Sequence, residues 1–586
     1  MHHFLHSLTD AILAHLDWFL LGIFILTACL APRLGDRWFC AAERVFSRFA
    51  ARRGLAIIVL ALIAIGLRVS LLAWDIDPIP IPQYHDEFSY LLAADTFAHG
   101  RLTNPTHPLP IFFETFHVLL RPTYMSKYPP AQGAALAVGQ VLGHPWIGVL
   151  LSVGAMCAAI LWMLQGWLPA RWALFGGILV ALRTGLFNDW VDSYWGGAVA
   201  AIGGALVVGA LPRIVRSHAG PRTARYPILM GLGAAILANS RPFEGALLFV
   251  TVGVALVVWI VLGRAVPLRE KFWRVAVPLG ALLGVTIAFM AYYNWRVTKS
   301  PFQLPYTLYE RTYDTSPLFI WQSFRRPIRY NNPQFQQYYN VWAPEQFDGS
   351  LSDILSVTWD KITEFFDFFI GKELCIALVA LPWLFRDRRA RFLLLQFGAC
   401  FLGLLTVVWF WPHYAAPITA TSTALLVQGL RHVRQWKIRN WPIGRGLVRA
   451  SVLTAIAFVA LQIAQSVGNW LPAQSGGGEP DEAARVGQEM SDRANIAAEL
   501  EAQAGLQLAI VRYAPDHVVS AEWVYNGADL DHGKVVWARE IPGVDIRPLL
   551  DYYRNRRIWL VQADENPARL TPYSMPTGLR DAGGVP

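Results

Sequence analysis

Tyr84-His85-Asp86-Glu87-Phe88-Ser89-Tyr90 concentrates more reactive side chains than any other stretch of this 586-residue chain. Its two adjacent carboxylates follow an apolar run at 54–74, and the residues after them, Ser-Tyr-Leu-Leu-Ala-Ala-Asp-Thr-Phe-Ala, are helix-like and amphipathic. Asp86 and Glu87 therefore fall near a helix N-terminus, where the dipole favours carboxylate charge. Such a pair either does acid–base work or simply caps a helix in water. Forty residues on, Ser126-Lys127-Tyr128-Pro129-Pro130 sets a lysine at the entrance to a short apolar helix. There it either faces an anionic headgroup or snorkels. Asn239-Ser240-Arg241-Pro242-Phe243-Glu244-Gly245 interrupts two apolar runs. The planar fork of Arg241 suits phosphate; the alternative is an Arg241–Glu244 pair that only steadies the turn. In Trp411-Pro412-His413-Tyr414-Ala415-Ala416-Pro417 the histidine binds, orients or anchors. Asp189 and Asp192 form an Asp-x-x-Asp pair, either a site for a divalent ion or a sugar hydroxyl or a solvated loop motif.

The scaffold that must hold these residues follows from composition. Apolar residues make up 54% of the chain and charged residues 16%, against roughly a quarter charged in ordinary soluble domains. Mean hydropathy is +0.35, with 24 Trp, 20 Tyr and 32 Phe. So few charges cannot cover a water-exposed surface, so most of the chain faces lipid. Disorder, a collagen repeat and a disulfide scaffold are excluded together, leaving an all-α polytopic membrane protein. The net charge of +9 does not indicate nucleic acid, because Lys and Arg gather in short loops between apolar runs. Cys29, Cys40, Cys157, Cys375 and Cys400 lie in or beside those runs without zinc-like spacing, so neither disulfides nor a cysteine metal site are expected. Leu16 to Leu30 lacks a basic preceding region and a small-residue cleavage site, so no cleavable signal peptide is expected.

Apolar runs able to span a bilayer stand at about 14–32, 54–74, 145–166, 170–187, 193–212, 226–241, 243–262, 276–295, 366–385, 392–411, 414–430 and 450–470, about twelve in all. Basic loops at 33–53, 213–225, 264–274, 386–391 and 431–449 mark the cytoplasmic side. Segments 75–129, 297–365 and 471–586 then lie outside. Between Lys127 and Arg213 the crossings must be odd in number, and three runs already supply them. The stretch Ala131 to Gly143 is therefore expected as a re-entrant or interfacial helix starting after Pro129-Pro130. Residues 297–365 read as a loop with interface-lying helices, ending in the amphipathic Leu351 to Phe369. After a Gly-Gly-Gly linker at 476–478, the tail reads as helix 480–504, strand 506–512, strand 534–538, helix 546–554 and strand 557–562. That is a small outer α/β domain over 475–586. Residues 1–53 form a first helix and a basic loop, and 54–470 a membrane core.

The Asp86-Glu87 pair in the first outer loop, the Lys127-Tyr128-Pro129-Pro130 step and the late Tyr414-x-x-Pro417 turn resemble class C (GT-C) membrane glycosyltransferases. The nearest groups are the protein O-mannosyltransferases, the lipid A aminoarabinose transferases and their galacturonosyl-transferring relatives. The likeness covers roughly 54–430. This chain has Lys-Tyr-Pro-Pro where the family has adjacent Lys-Pro-Pro, and it carries its own outer tail. The resemblance implies inverting transfer of a sugar from a polyprenyl-phosphate donor to a hydroxyl outside the membrane, on a lipid, glycan or protein. It implies Asp86 as general base with Glu87 as helper, and Lys127 at the donor phosphate. Arg241 joins Lys127 on its own chemistry, while Tyr84, His85, Glu244, His413 and Tyr414 are expected to bind substrate. No metal is required by that chemistry, because a phosphate is already a good leaving group. A bacterial inner membrane, with catalytic loops and tail in the periplasm, is likewise implied.

Two other readings compete. A transporter or flippase for a lipid-linked sugar would also carry charges near a lipid cavity, but would favour repeats and broken spans, which the sequence lacks. A non-catalytic envelope assembly protein would use the tail to bind partners and leave the Asp-Glu pair inert.

Overall fold

The computed structural model describes residues 16–216, 224–468 and 480–574. The Gly-Gly-Gly linker and part of the 213–225 loop lie outside the described residues. The protein is a helical membrane bundle with a small C-terminal sheet domain. Each apolar run folds as a helix, and among the described residues seven helices are long and apolar enough to cross a bilayer: Arg53–Ala73, Pro145–Trp167, Gly197–Arg216, Pro242–Leu262, Leu268–Thr298, Leu351–Arg386 and Ile443–Val467. Where about twelve full spans are expected, four of the remaining helices are shorter. Leu16–Leu30 opens at the first described residue, and Ala170–Thr184, Arg225–Ala238, Arg391–Leu405 and Thr419–Val433 hold 14 or 15 residues each. That is about 22 Å of helix against roughly 30 Å of hydrocarbon. Proline accounts for much of the shortening. Pro169 caps the start of Ala170–Thr184, and Pro412 and Pro417 hold the chain in two 3₁₀ turns ahead of Thr419.

Burial separates the bundle into two kinds of helix. Gly197–Arg216 is its axis, 78% buried over its span, whereas Leu268–Thr298 is 17% buried and presents the rest of its apolar surface outward, as a lipid-facing helix does. The expected short helix is Pro130–Val141, twelve residues and about 18 Å long. It lies against Pro145–Trp167 so closely that a side chain on Gly139 would strike the Gly148 backbone. The amphipathic stretch from Leu351, expected to lie at the interface, is helical over Leu351–Phe365. It continues into the next apolar run as one helical segment of 36 residues, with a wide turn at Phe366–Ile370.

Segments assigned to one side do meet. Residues 33–53, expected as a loop, contain the helix Asp36–Ala51, which pairs with the 431–449 segment through Glu43–Arg434 (2.7 Å) and Asp36–Arg449. The tail sheet has the order Val535–Arg539, Gln507–Arg512, Arg557–Gln562, Arg569–Pro572. Its first three strands are parallel and the last antiparallel. Gln507–Arg512 is central and buried on both faces, hence its continuous apolar run. The fourth strand, not expected, ends in Pro572 at the sheet edge, where proline leaves no ladder bond unmade.

The tail is not a separate body beside the core. Phe88, Phe112, Phe113 and Tyr124 of the first outer loop form one hydrophobic cluster with Leu508, Trp523 and Tyr525 of the tail. Phe88 and Tyr525 stack at 4.3 Å. Arg539, fully buried, pairs with Glu522 and donates to Gln334 and to the Glu114 carbonyl, joining segments 75–129 and 297–365 to the tail.

Candidate active site at the first outer helix

Tyr84 is extended, and the helix His85–Ala98 starts directly after it. Glu87 secures that start. Its Oε1 accepts the N–H groups of Gln83 (2.9 Å) and Tyr84 (3.1 Å), and its Oε2 accepts the Tyr194 N–H (2.9 Å). Expected beside the substrate as a helper, Glu87 is instead wholly buried and ties the helix to the 185–196 loop. Burial pushes its carboxyl up to about 7 against the pull of those three N–H groups. His85 is also turned inward: its ring stacks on Phe116 at 4.2 Å, and Nε2 donates to the Val519 carbonyl of the tail at 3.1 Å. Burial holds it down to about 3, so it is neutral.

Asp86 points the other way. Its Oδ1 accepts from the Tyr128 hydroxyl and from His117 Nδ1 (2.5 Å), and Tyr128 and His117 stand 2.7 Å apart. Oδ2 receives no hydrogen bond among the described residues. Burial works to raise the Asp86 carboxyl. The charge of His117, the bonds from His117 and Tyr128, and the charge of Lys127 outweigh it and hold Asp86 well below the usual carboxylate range. Burial and Lys127 in turn hold His117 down to about 4. The charge of His117 therefore acts on Asp86 only below about pH 4, and at neutral pH the pair is a carboxylate beside a neutral imidazole.

His117 reaches Asp86 through a hairpin that sequence reasoning did not find. Val118–Leu119 pairs antiparallel with Met125–Ser126, bringing residue 117 beside 127, where the Lys127 N–H donates to the His117 carbonyl (3.0 Å). Ser89 Oγ donates to the same carbonyl at 2.6 Å, and the His117 N–H donates to Tyr309 Oη at 2.9 Å. His117 has φ of 62°, a left-handed conformation that costs a residue other than glycine about 1–3 kcal/mol and persists only where neighbours impose it. The signal available in the sequence was Leu120-Arg121-Pro122-Thr123, a turn between two apolar pairs.

Lys127 is buried, with Nζ 3.1 Å from Glu310 Oε1 and within 5 Å of the Tyr306 and Tyr309 ring centres. Burial pushes Glu310 up to about 7, opposed by the Lys127 charge. Arg241 lies over Tyr414 at 4.2 Å and makes no ion pair among the described residues, so the alternative of an Arg241–Glu244 salt bridge is not formed. Its turn is attached to the short helix by the Ala131 N–H donating to the Asn239 carbonyl (2.8 Å). The charges of Asp86, Arg241 and Glu244 all act on Tyr90 and Tyr414, so these groups surround one region. His413 is buried in it with both ring nitrogens unpartnered, its ring 4.8 Å from Trp195. Tyr84 stacks on the other side of that cluster, 5.2 Å from Trp195.

Asp189 and Asp192 do not act as a pair. Asp192 accepts from Arg68 Nε (2.9 Å) and from the Asn188 N–H (2.8 Å). Arg68, on the spanning helix Arg53–Ala73 and fully buried, also pairs with Asp77 and donates to the Asp77 and Pro78 carbonyls. A buried guanidinium satisfied on every side is a structural brace.

No family model and no curated protein matches the sequence. Among solved structures, the chain is similar to the Archaeoglobus fulgidus oligosaccharyltransferase tethered with an acceptor peptide, at 13% identity and a TM-score of 0.46, over 87% of this chain and 69% of that one. It is similar to ArnT from Cupriavidus metallidurans in the apo state, at 13% identity and 0.46, over 85% and 91%. It is also similar to ArnT bound to undecaprenyl phosphate, at 12% and 0.46, over 86% and 92%. Both are GT-C glycosyltransferases, the class that the motifs around Asp86 and Lys127 resemble.

Proposed function

We propose that this chain is an inverting glycosyltransferase that moves a sugar from a polyprenyl-phosphate donor to a hydroxyl on the outer face of the membrane. The observation that carries the reading is the Asp86 carboxylate, pinned through one oxygen by Tyr128 and His117 while the other receives no bond, in the field of Lys127. Oδ2 takes the acceptor proton as the acceptor oxygen bonds to the anomeric carbon. The bond from that carbon to the carrier phosphate breaks on the opposite face, which inverts the centre. Its electron pair leaves with the phosphate, which gains one negative charge. Lys127 and Arg241 meet that charge and so favour the transition state over the ground state. A depressed carboxyl is a weak base at rest. Bound phosphate neutralises Lys127, removes part of the depression and strengthens the base when it is needed. Glu87 and His85 position Asp86 from behind without touching substrate. His413 and Tyr414, together with Tyr84, Tyr90 and Glu244, offer polar and aromatic surfaces to a sugar. The chemistry needs no metal at this site.

Membranes incubated with a panel of labelled polyprenyl-phosphate sugars test this reading. One donor should lose its sugar to an acceptor with wild-type protein and keep it with Asp86→Asn. Movement of an intact lipid-linked sugar between leaflets, unaffected by Asp86→Asn, would instead establish a flippase.

A further inference from the structure

Glu489, His517 and Asp564 converge in the tail, far in sequence from the Asp86 site and from three different elements. Glu489 lies on the helix Pro480–Ala502, His517 on the loop after the central strand Gln507–Arg512, and Asp564 just beyond the strand Arg557–Gln562. Both strands are parallel, so His517 and Asp564 sit outside their carboxyl ends, where α/β sheets place ligands. One ligand-capable atom from each residue lies within 4.8 Å of the other two. His517 Nδ1 is 2.6 Å from Asp564 Oδ1 and 3.8 Å from Glu489 Oε2. Four-coordinate zinc with bonds of about 2.0–2.2 Å holds its ligand atoms roughly 3.4 Å apart, between those two distances.

The cluster is incomplete as protein alone. Glu489 Oε2 is sealed from solvent without a hydrogen-bond partner. The imidazole is buried, with 2% of its side chain exposed, and neither of its neutral tautomers satisfies both nitrogens. Asp564 Oδ2 is oriented by the Ala514 N–H at 2.7 Å, the kind of outer contact that fixes a ligating carboxylate.

We propose that Glu489, His517 and Asp564 bind a divalent transition-metal ion, with zinc as the best fit to one imidazole and two carboxylates. On binding, the imidazole proton moves from Nδ1 to Nε2, freeing the Nδ1 lone pair for the metal, and the two carboxylates balance its charge. An all-oxygen ion such as calcium is a poor match to a three-ligand set containing nitrogen. The ion would clamp the 513–523 loop to the tail helix, and that loop carries the Val519 carbonyl that holds His85.

The test uses the full chain in detergent, stripped with EDTA and titrated with ZnCl₂ by calorimetry and by thermal unfolding. Wild type should bind one equivalent of Zn²⁺ that the variants lose and should melt at higher temperature with it. Glu489→Gln and His517→Ala should weaken that binding at least tenfold, and Zn²⁺ should leave the melting temperature of Glu489→Gln unchanged. Glu489→Gln preserves shape and decides the matter if His517→Ala fails to fold. No Zn²⁺ binding by wild type, or binding unaltered by Glu489→Gln, overturns the proposal.

Discussion

Two clusters of acid and cation stand at the end of the bundle that meets the tail, and they are built in opposite ways. Around Arg68 every polar atom of the guanidinium has a protein partner: Asp192, Asp77 and two backbone carbonyls. Around Asp86 the donors crowd one oxygen, Lys127 is held aside by Glu310, and Arg241 rests on an aromatic face without a carboxylate. The first arrangement is closed and braces the fold. The second leaves one carboxylate oxygen and the Arg241 guanidinium without a charged partner among the described residues, as the proposed hydroxyl and phosphate substrates would require. Partner saturation, more than charge or burial, separates the two.

That contrast breaks first at its two centres. Asp86→Asn should reduce transfer roughly 10³-fold, the scale of a lost general base, with the melting temperature within a few degrees of wild type. Unaltered transfer ends the general-base assignment. Arg68→Met should do the reverse, destabilising the protein by about 3–5 kcal/mol because two carboxylates lose their counter-charge. Its melting temperature should fall while transfer per folded molecule persists. An unchanged melting temperature with lost transfer would place Arg68 in the chemistry instead. Lys127→Ala should lower kcat/KM for the donor roughly 100-fold, and Lys127→Arg should restore part of it; equal activity in the alanine variant would leave the donor phosphate to Arg241 alone.

The smallest effect concerns Glu87. Its carboxyl is raised to about 7 in the fold from 4.5, so the fold keeps the proton longer than the unfolded chain does. The stability this adds is complete below pH 4.5 and lost as pH rises through 7, at most about 1.4 kcal/mol per pH unit. Glu87→Gln lacks that slope. The melting-temperature difference between variant and wild type should therefore shift toward the variant from pH 5 to 7 and then level off. A constant difference would show that the three N–H groups keep Glu87 ionised throughout.

Apolar periodicity made most of the fold legible. Helix Pro480–Ala502 and strands Gln507–Arg512, Val535–Arg539 and Arg557–Gln562 lie within about two residues of their sequence bounds, because a two-sided buried strand is a continuous apolar run. Counting apolar windows did not register the turns at Pro412 and Pro417, which delay the last short helix to Thr419. Asp86, Lys127 and Arg241 stood out as ionisable groups beside apolar runs, and the structure gathers them. His117 did not, because its role depends on a two-residue hairpin pairing, and neither did Glu310, which meets Lys127 across 183 residues. Such contacts leave no local pattern.

The outer loop that bears Asp86 shares its hydrophobic interior with the tail, and the Tyr124 hydroxyl bonds the Asn526 carbonyl 402 residues later. A ribosome adding about 5–20 residues per second needs roughly 20–80 s to make that length. Throughout that interval Phe88, Phe112 and Phe113 wait without their final neighbours. The nascent chain therefore inserts its helices long before the helix that carries Asp86 acquires its settled backing from the tail.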